Sequence, residues 1–344
     1  SSYGATGSNS IAMGYQAKAT SQYGLALGAG TQATNTNAFS AGYYSTASGL
    51  RSTALGWDAT ATASDSIAIG RDTDATSNES VALGRYAQAA GQRAVSLGQS
   101  RASGTDSFAA AIANNTSSYG ATGANSVAIG RQAKATGASA HAFGSSSVGN
   151  IASGNNSFAI GTGATASATG SRAMGSSVTA DGYASIAKGA YADVNGVQYR
   201  ETYGFGSNFQ RSIFVLQDTT SDATATILSA NGNAAAISAT TQITLPNNSV
   251  YGFTGTVIAR EDSSSTDDFA VWEIKGGAVR GASASTTALG SYNINKISES
   301  TGAANWSIAL SADTTNGAVA ITVTGEAAHN IRWVATVNTT EVTY

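Results

Sequence analysis

Residues 66–91 read SIAIGRDTDATSNESVALGRYAQAAG, and the pentad SIAIG at 66–70 returns fourteen residues later as SVALG at 80–84. The large positions differ between the two copies. The Ala in the middle and the Gly at the end do not. Outward from this stretch, pentad glycines fall at Gly14, Gly28, Gly42, Gly56, Gly70, Gly84 and Gly98, a step of fourteen each time. The series breaks around 107–111 (SFAAA), resumes at Gly130 and Gly144, and restarts at Gly161, Gly175 and Gly189. A short fixed period marks a solenoid, in which each repeat covers the apolar face of the next.

Fourteen residues cannot hold two helices and a turn, but they hold two short strands and two turns. One strand is the pentad. The other is the Ala-alternating half, as in QAKAT at 16–20 and DATATA at 58–63. Strict alternation puts Ala17 and Ala19 on one face and Lys18 on the other. The lysine belongs in water, so these alanines face inward. The pentad has no polar face: Ile67 and Ile69 point one way, Ala68 and Gly70 the other. Both faces need cover, and a roll this thin has no second layer of its own.

The expectation drawn from this is that Ile67, Ile69, Val81, Leu83, Val127 and Ile129 fill the roll interior. The small face, carried by Ala12, Ala26, Ala54, Ala68, Gly70, Ala82, Gly84, Ala128 and Gly130, then packs against two further copies around a three-fold axis. The opposite assignment, large residues toward the axis, stays open. The choice rests on what each position tolerates. The first large position holds Ile11, Leu25, Phe39, Thr53, Ile67, Val81, Val95, Val127, His141, Phe158, Arg172 and Ile186. The central small position holds only Ala or Ser, with Ser40 and Ser96 as the Ser cases. A site restricted to Ala or Ser has no room for more.

Composition agrees with a repeat architecture. The chain has 344 residues, enough for two or three domains, and only 11% are charged, against roughly 25% in ordinary soluble domains. The apolar residues are strictly placed, which separates the chain from disordered low-complexity sequence. A net charge of −3 makes no electrostatic case for nucleic acid or an anionic membrane. There is no cysteine, and a zinc site would have to use the two histidines with carboxylates. No metal or cofactor is expected. No run approaches the length of a membrane-spanning helix. SSYGATGSNSIAMGYQAKAT at 1–20 nearly repeats as SSYGATGANSVAIGRQAKAT at 117–136, which leads to the expectation of a longer native protein.

The cores NSIAMG at 9–14, NSVAIG at 125–130 and NSFAIG at 156–161 resemble the head repeats of YadA-like trimeric autotransporter adhesins, over about residues 1–192. The resemblance implies a left-handed parallel β-roll, a homotrimer and a role in attachment. No neck motif, heptad stalk or dedicated membrane-anchor region follows, so a bacterial autotransporter is the weaker expectation.

Beyond a junction at 193–211, independent strands with turn signals take over. The clearest hairpin joins Trp306–Ser311 to Ala318–Thr324 through DTTNG, where Asn316-Gly317 suits a tight turn. Pro246, the one proline, stands at a strand end, where a missing donor costs least. Seven or more short strands in about 130 residues predict an antiparallel sandwich or jelly roll. LPNNSVYGFTGTVIARE at 245–261, AVWEIKGGAVRG at 270–281, ADTTNG at 312–317 and IRWVATVNTTEVT at 331–343 resemble a C-terminal domain of bacteriophage tail fibres. That resemblance implies a trimeric fibre end near the host-contacting tip. The expected fold is therefore all-β: a homotrimeric left-handed parallel β-roll at 1–192, the junction, and a sandwich or jelly-roll-like tip domain at 212–344.

Catalytic signals are sparse. The densest acidic group, Glu261, Asp262, Asp267 and Asp268 in EDSSSTDD, reads as a solvated hairpin loop rather than a calcium site. His141 in AHAFG reads as a buried neutral residue inside the roll, with convergence of three copies on the axis as the alternative. His329 reads as an exposed turn residue, and Lys188 in SIAKG as an end cap of the solenoid. Trp272, Trp306 and Trp333 read as core rather than as a sugar-stacking platform. Receptor contacts are expected on loops.

These readings lead to a structural trimeric fibre of a phage tail that binds the host surface and is not an enzyme. Its expected partners are two identical chains, a host glycan or outer-surface protein, and other tail proteins, without nucleic acid or membrane insertion. The expected location is the virion. A bacterial trimeric adhesin head at the cell surface and a polysaccharide-degrading tailspike are the alternatives.

Overall fold

A computed structural model describes residues 3–110, 118–144, 149–206, 208–232, 237–262 and 267–344. The described chain is built of β-strands and two short 3-10 turns. Its contacts divide it into two compact units, residues 1–166 and 167–344.

The first unit is a parallel solenoid. Each coil supplies a longer strand, such as Ile67–Ile69, and a two-residue strand, such as Asp74–Ala75. Longer strands stack in parallel, with Ala68 between Ala54 and Ala82. Short strands stack likewise, with Ala75 between Ala61 and Ala89. One circuit of the coil is one period of the sequence. Where the period slips, the ladder keeps register: Phe108 pairs with Val95 and Val127, and His141 pairs with Phe158. Part of the expected break, residues 111–117, lies outside the described residues.

The corners explain the Asn-Ser start of each core. Asn9, Asp65, Asn125 and Asn156 have φ of 55–57°, a left-handed conformation that Asn and Asp adopt most readily after Gly. After Asp65 and Asn125 the following serine is buried, and its hydroxyl closes the turn by donating to the carbonyl three residues back. Ser66 Oγ donates to Ala63 O at 2.7 Å, and Ser126 Oγ to Gly123 O at 2.7 Å.

The faces of the pentad are the reverse of the expectation. Ala26, Ala54, Ala68, Ala82 and Ala128 are fully buried within the single chain, and Ala12 is half-buried against the same cluster. These residues face the inside of the coil, not another copy. With Ala17, Ala19, Ala33, Ala47, Ala61, Ala75 and Ala89 they form a core made of alanine. Ile67, Val81, Leu83 and Val127 are only half-buried, and Ile69 and Ile129 are exposed, on the outer side of the sheet.

The reason is the thinness of the coil. Ser40 Oγ reaches across the interior to Ser45 O in 2.8 Å and Ser96 Oγ reaches Ser100 O in 2.8 Å. A gap closed by one serine cannot admit isoleucine. Gly70, Gly84 and Gly130 are also intramolecular requirements rather than interface residues. Gly70 has φ of 145°, and a Cβ there would lie 2.4 Å from the carbonyl oxygen of Gly84 in the next coil. Gly84 (φ 110°) and Gly130 (φ 111°) are equally intolerant of a side chain.

The second unit opens with coils of the same kind, Arg172–Ser176 pairing in parallel with Ile186–Ala190. Lys188 does not end the sheet. The strand Glu201–Gly206 pairs in parallel with Ile186–Ala190, then antiparallel with Phe209–Thr220. The junction read as irregular thus supplies the strand at which the ladder changes sense. The sheet continues through Ile331–Thr343, Ser249–Glu261, Phe269–Arg280 and Ala288–Glu299, all antiparallel.

A smaller antiparallel sheet is built on Ala318–Thr324. One edge pairs with Ser307–Asp313, and the other with Thr226–Ile227 and Ile243–Thr244. The first of these pairings is the hairpin read from DTTNG, with Gly317 at φ 71°. Phe214, Leu216, Trp272, Ile274 and Trp333 of the large sheet share one core with Leu228, Ile243, Leu310, Ile321 and Val323 of the small one. Alternation along Ile331–Thr343, buried at every odd residue from Ile331 to Glu341, is the period-two pattern of a strand covered on one side.

Candidate functional site

Turning the pentad inside out exposes its large residues. In the first unit two columns of them run along the outer side of the longer-strand sheet. They run from Ile11 and Met13 through Ile67 and Ile69 to Phe158 and Ile160, each in register with its neighbours. Ile11 is 55% exposed, Met13 66%, Ile69 39% and Ile160 41%. Parallel strands lie about 4.8 Å apart, so the columns form a mainly apolar strip, with Thr53 and His141 as its polar members. Scattered apolar residues on a surface need no explanation; a contiguous strip of this length is the kind of surface at which proteins interact.

Position tolerance now has its cause. Phe39, Thr53 and Phe158 can replace one another because they stand on a surface, where neighbours adjust, whereas Ala68 stands in a closed interior. His141 belongs to the strip. It is half-buried beside Phe143, ring centroids 6.3 Å apart and planes 2° from parallel. The interior placement expected for it is overturned, because its strand position points outward like that of Ile67.

An exposed aromatic corner adjoins the strip. Tyr43 contacts Tyr44 and Trp57 at centroid distances of 4.5 and 5.4 Å, and the Arg71 guanidinium lies 5.2 Å above Trp57.

In the second unit the tryptophans are core. Trp272 and Trp333 stack at 5.7 Å, Trp306 lies 6.1 Å from Trp333, and Trp333 Nε1 donates to Thr220 Oγ1 at 2.9 Å. No sugar can reach these rings. The acidic hairpin is only partly a solvated loop. Asp262 pairs with Arg332 and Asp267 with Arg260, both exposed, while residues 263–266 lie outside the described residues. Glu261 is buried and accepts His329 Nδ1 at 2.9 Å. His329 is thus a partnered residue, not a free turn residue. Among the described residues no group of His, Asp and Glu has the geometry to hold a metal ion.

One feature left no trace in the sequence. Arg200 and Glu341 form a fully buried ion pair of 2.6 Å. Arg200 also donates to Ser212 Oγ and Val194 O, and Gln210 Nε2 donates to Glu341 at 2.7 Å. Burial pushes the Glu341 carboxyl up, but the Arg200 charge and donors from Thr339, Ser212 and Gln210 hold it below the ordinary glutamate range. The pair is structural: it lies out of reach of any ligand.

The coils match the YadA head domain repeat. The family model, described as a YadA head domain repeat of two copies, covers residues 5–31, 33–59, 47–73, 75–100, 121–147 and 152–177. The matches fall on the parallel coils up to residue 177 and leave the C-terminal antiparallel sheets outside. No curated protein matches the sequence.

Among solved structures, the chain is similar to the tailspike protein gp49 from Acinetobacter baumannii bacteriophage Fri1, a capsular polysaccharide depolymerase. The identity is 8%, over 94% of this chain and 71% of that one, with a TM-score of 0.25. It is also similar to the Acinetobacter baumannii phage AM24 tailspike, at 8% identity, 96% of this chain, 60% of that chain and a TM-score of 0.19. The tailspike of Acinetobacter phage vB_ApiP_P1 is 10% identical over 96% of this chain and 57% of that chain, with a TM-score of 0.20. The chain spans less than two thirds of the latter two.

Proposed function

We propose that this protein is a homotrimeric attachment fibre of a bacteriophage tail that holds the virion to a host cell surface without catalysis. The observation that carries the reading is the apolar strip from Ile11 to Ile160, uncovered in a single chain. Three copies packed strip to strip around a closed three-fold axis give every chain the same cover. The YadA-type repeats support an adhesin-like role, and taken alone they suit a bacterial adhesin head equally well. The C-terminal segments that resemble phage fibre domains favour the virion.

Light scattering tests the assembly. The native chain is expected at about three times its 34.2 kDa. The double variant Ile69→Asp, Ile129→Asp is expected at the mass of one chain, with an unchanged β-type circular dichroism spectrum, because both residues are already exposed in the isolated fold. A native monomer, or a trimer that survives both aspartates, overturns the reading.

A further inference from the structure

The outer side of the large C-terminal sheet holds an open groove of about 790 Å³, within the range of small-ligand sites. Two rows across the strands make it. Asn338, Thr254, Lys275 and Asn293 stand side by side in one row. Arg211, Thr340 and Gly252 form the next.

Glycines shape the floor. A Cβ on Gly252 would meet nothing within 4 Å, so packing does not demand glycine there; its effect is to leave the groove open. At Gly276 a Cβ would strike Tyr292 and the Phe253 ring at 2.7 and 2.8 Å, so glycine is what lets Tyr292 lie across the groove wall. Tyr292 remains 49% exposed.

The charge is one-sided. Arg211 and Lys275 are exposed, and no carboxylate lines the groove. Neither cation is held in an ion pair among the described residues, and Arg211 lies 5.1 Å above the Tyr203 ring. An exposed phenol ring, side-chain amides and hydroxyls, and two cations converge on one concavity. A ring face covers the C–H side of a pyranose, amides meet its hydroxyls, and a guanidinium pairs with a carboxylate.

We propose that this groove binds a segment of a carboxylated polysaccharide, with Tyr292 stacking on a sugar ring and Arg211 and Lys275 holding its acid groups. The assignment rests on the attachment reading and gives it a ligand class. It also places recognition on a strand surface rather than on loops.

The test uses the full chain against polygalacturonate, polysialic acid and alginate, with dextran as the neutral polymer. At least one carboxylated polymer is expected to bind tenfold or more tightly than dextran, less tightly as salt rises. Tyr292→Ala, and Arg211→Ala with Lys275→Ala, are each expected to cost tenfold or more, while Trp57→Ala leaves binding unchanged. Failure of every carboxylated polymer to outbind dextran overturns the proposal. So does binding that the groove variants leave intact, or groove variants that change the assembly mass instead, which would make a second copy the occupant. Adherence of the same proteins to encapsulated cells separates the two claims. If wild type and groove variants adhere equally, the groove assignment falls and attachment stands. If wild type does not adhere, the attachment reading falls.

Discussion

Ala68 shows how little space governs this fold. It is fully buried between Ala54 and Ala82 in the stack, inside a coil whose walls are close enough for one serine to span. A larger side chain there has nowhere to go. Ala68→Leu is expected to destabilise the folded chain by ~1–3 kcal/mol through overpacking, read by denaturant unfolding. Ala90→Leu, on an exposed alanine, is expected to stay within about 0.5 kcal/mol. Equal effects would mean that the interior is not tight. The serines that replace the central alanine obey the same limit. Ser40 and Ser96 are matched by Ser45 and Ser100, whose hydroxyls lie 2.8 and 2.7 Å away. Each buried hydroxyl has its partner in the same coil, as burial of a polar group demands. That pairing was readable in the sequence as a coincidence of serines five and four residues apart, once the interior was known.

At the scale of elements, the ion pair that ties the strand Ile331–Thr343 to the segment before Glu201–Gly206 sets a pH dependence. Glu341 titrates below its ordinary value of 4.5 in the fold. Its contribution is therefore fully present above the unfolded value and is lost as pH falls through the folded one. Unfolding free energy is expected to be level from neutral pH down to about 5 and to drop below it on this account. Glu341→Gln leaves Arg200 charged in a closed site and is expected to cost about 3–5 kcal/mol at pH 7. It should also flatten the acid limb of the stability profile. Retention of the native acid limb in Glu341→Gln would assign that limb to other carboxylates. The Lys188–Glu201 pair, 2.6 Å long but partly exposed, is a far weaker contributor for reasons of solvent screening.

At the scale of the molecule, the two units solve burial differently. The parallel coils of the first bury methyl groups and leave their large side chains on the outer side of the sheet. The second unit closes a mixed aromatic and aliphatic core between two of its own sheets. Among the described residues the buried Glu341 and Glu261 are held by Arg200 and His329, and the groove between exposed strands is lined by cations and no carboxylate. Glycoside hydrolysis requires a pair of carboxylates about 5–9.5 Å apart across a bound sugar. Incubation of the full chain with capsular polysaccharide is accordingly expected to leave polymer length unchanged by size-exclusion chromatography. Release of oligosaccharide would make the chain a depolymerase.

The sequence by itself determined the period, the two strands of each coil and the antiparallel C-terminal strands. It did so because alternation and turn chemistry are local. Lys18 even oriented the short strand, since a lysine must be outside. The pentad contains no such arbiter: alternation says that Ile67 and Ile69 share a face and Ala68 and Gly70 the other, but not which face is inward. Only the tertiary structure decided that, because the width of the coil interior is set by the facing strand and the corners, and that width accepts only alanine or serine. The same is true of Arg200 and Glu341, which lie 141 residues apart. It is also true of the groove, whose residues come from five strands. Each is a product of strand order in the sheet, and strand order is not written in any one segment.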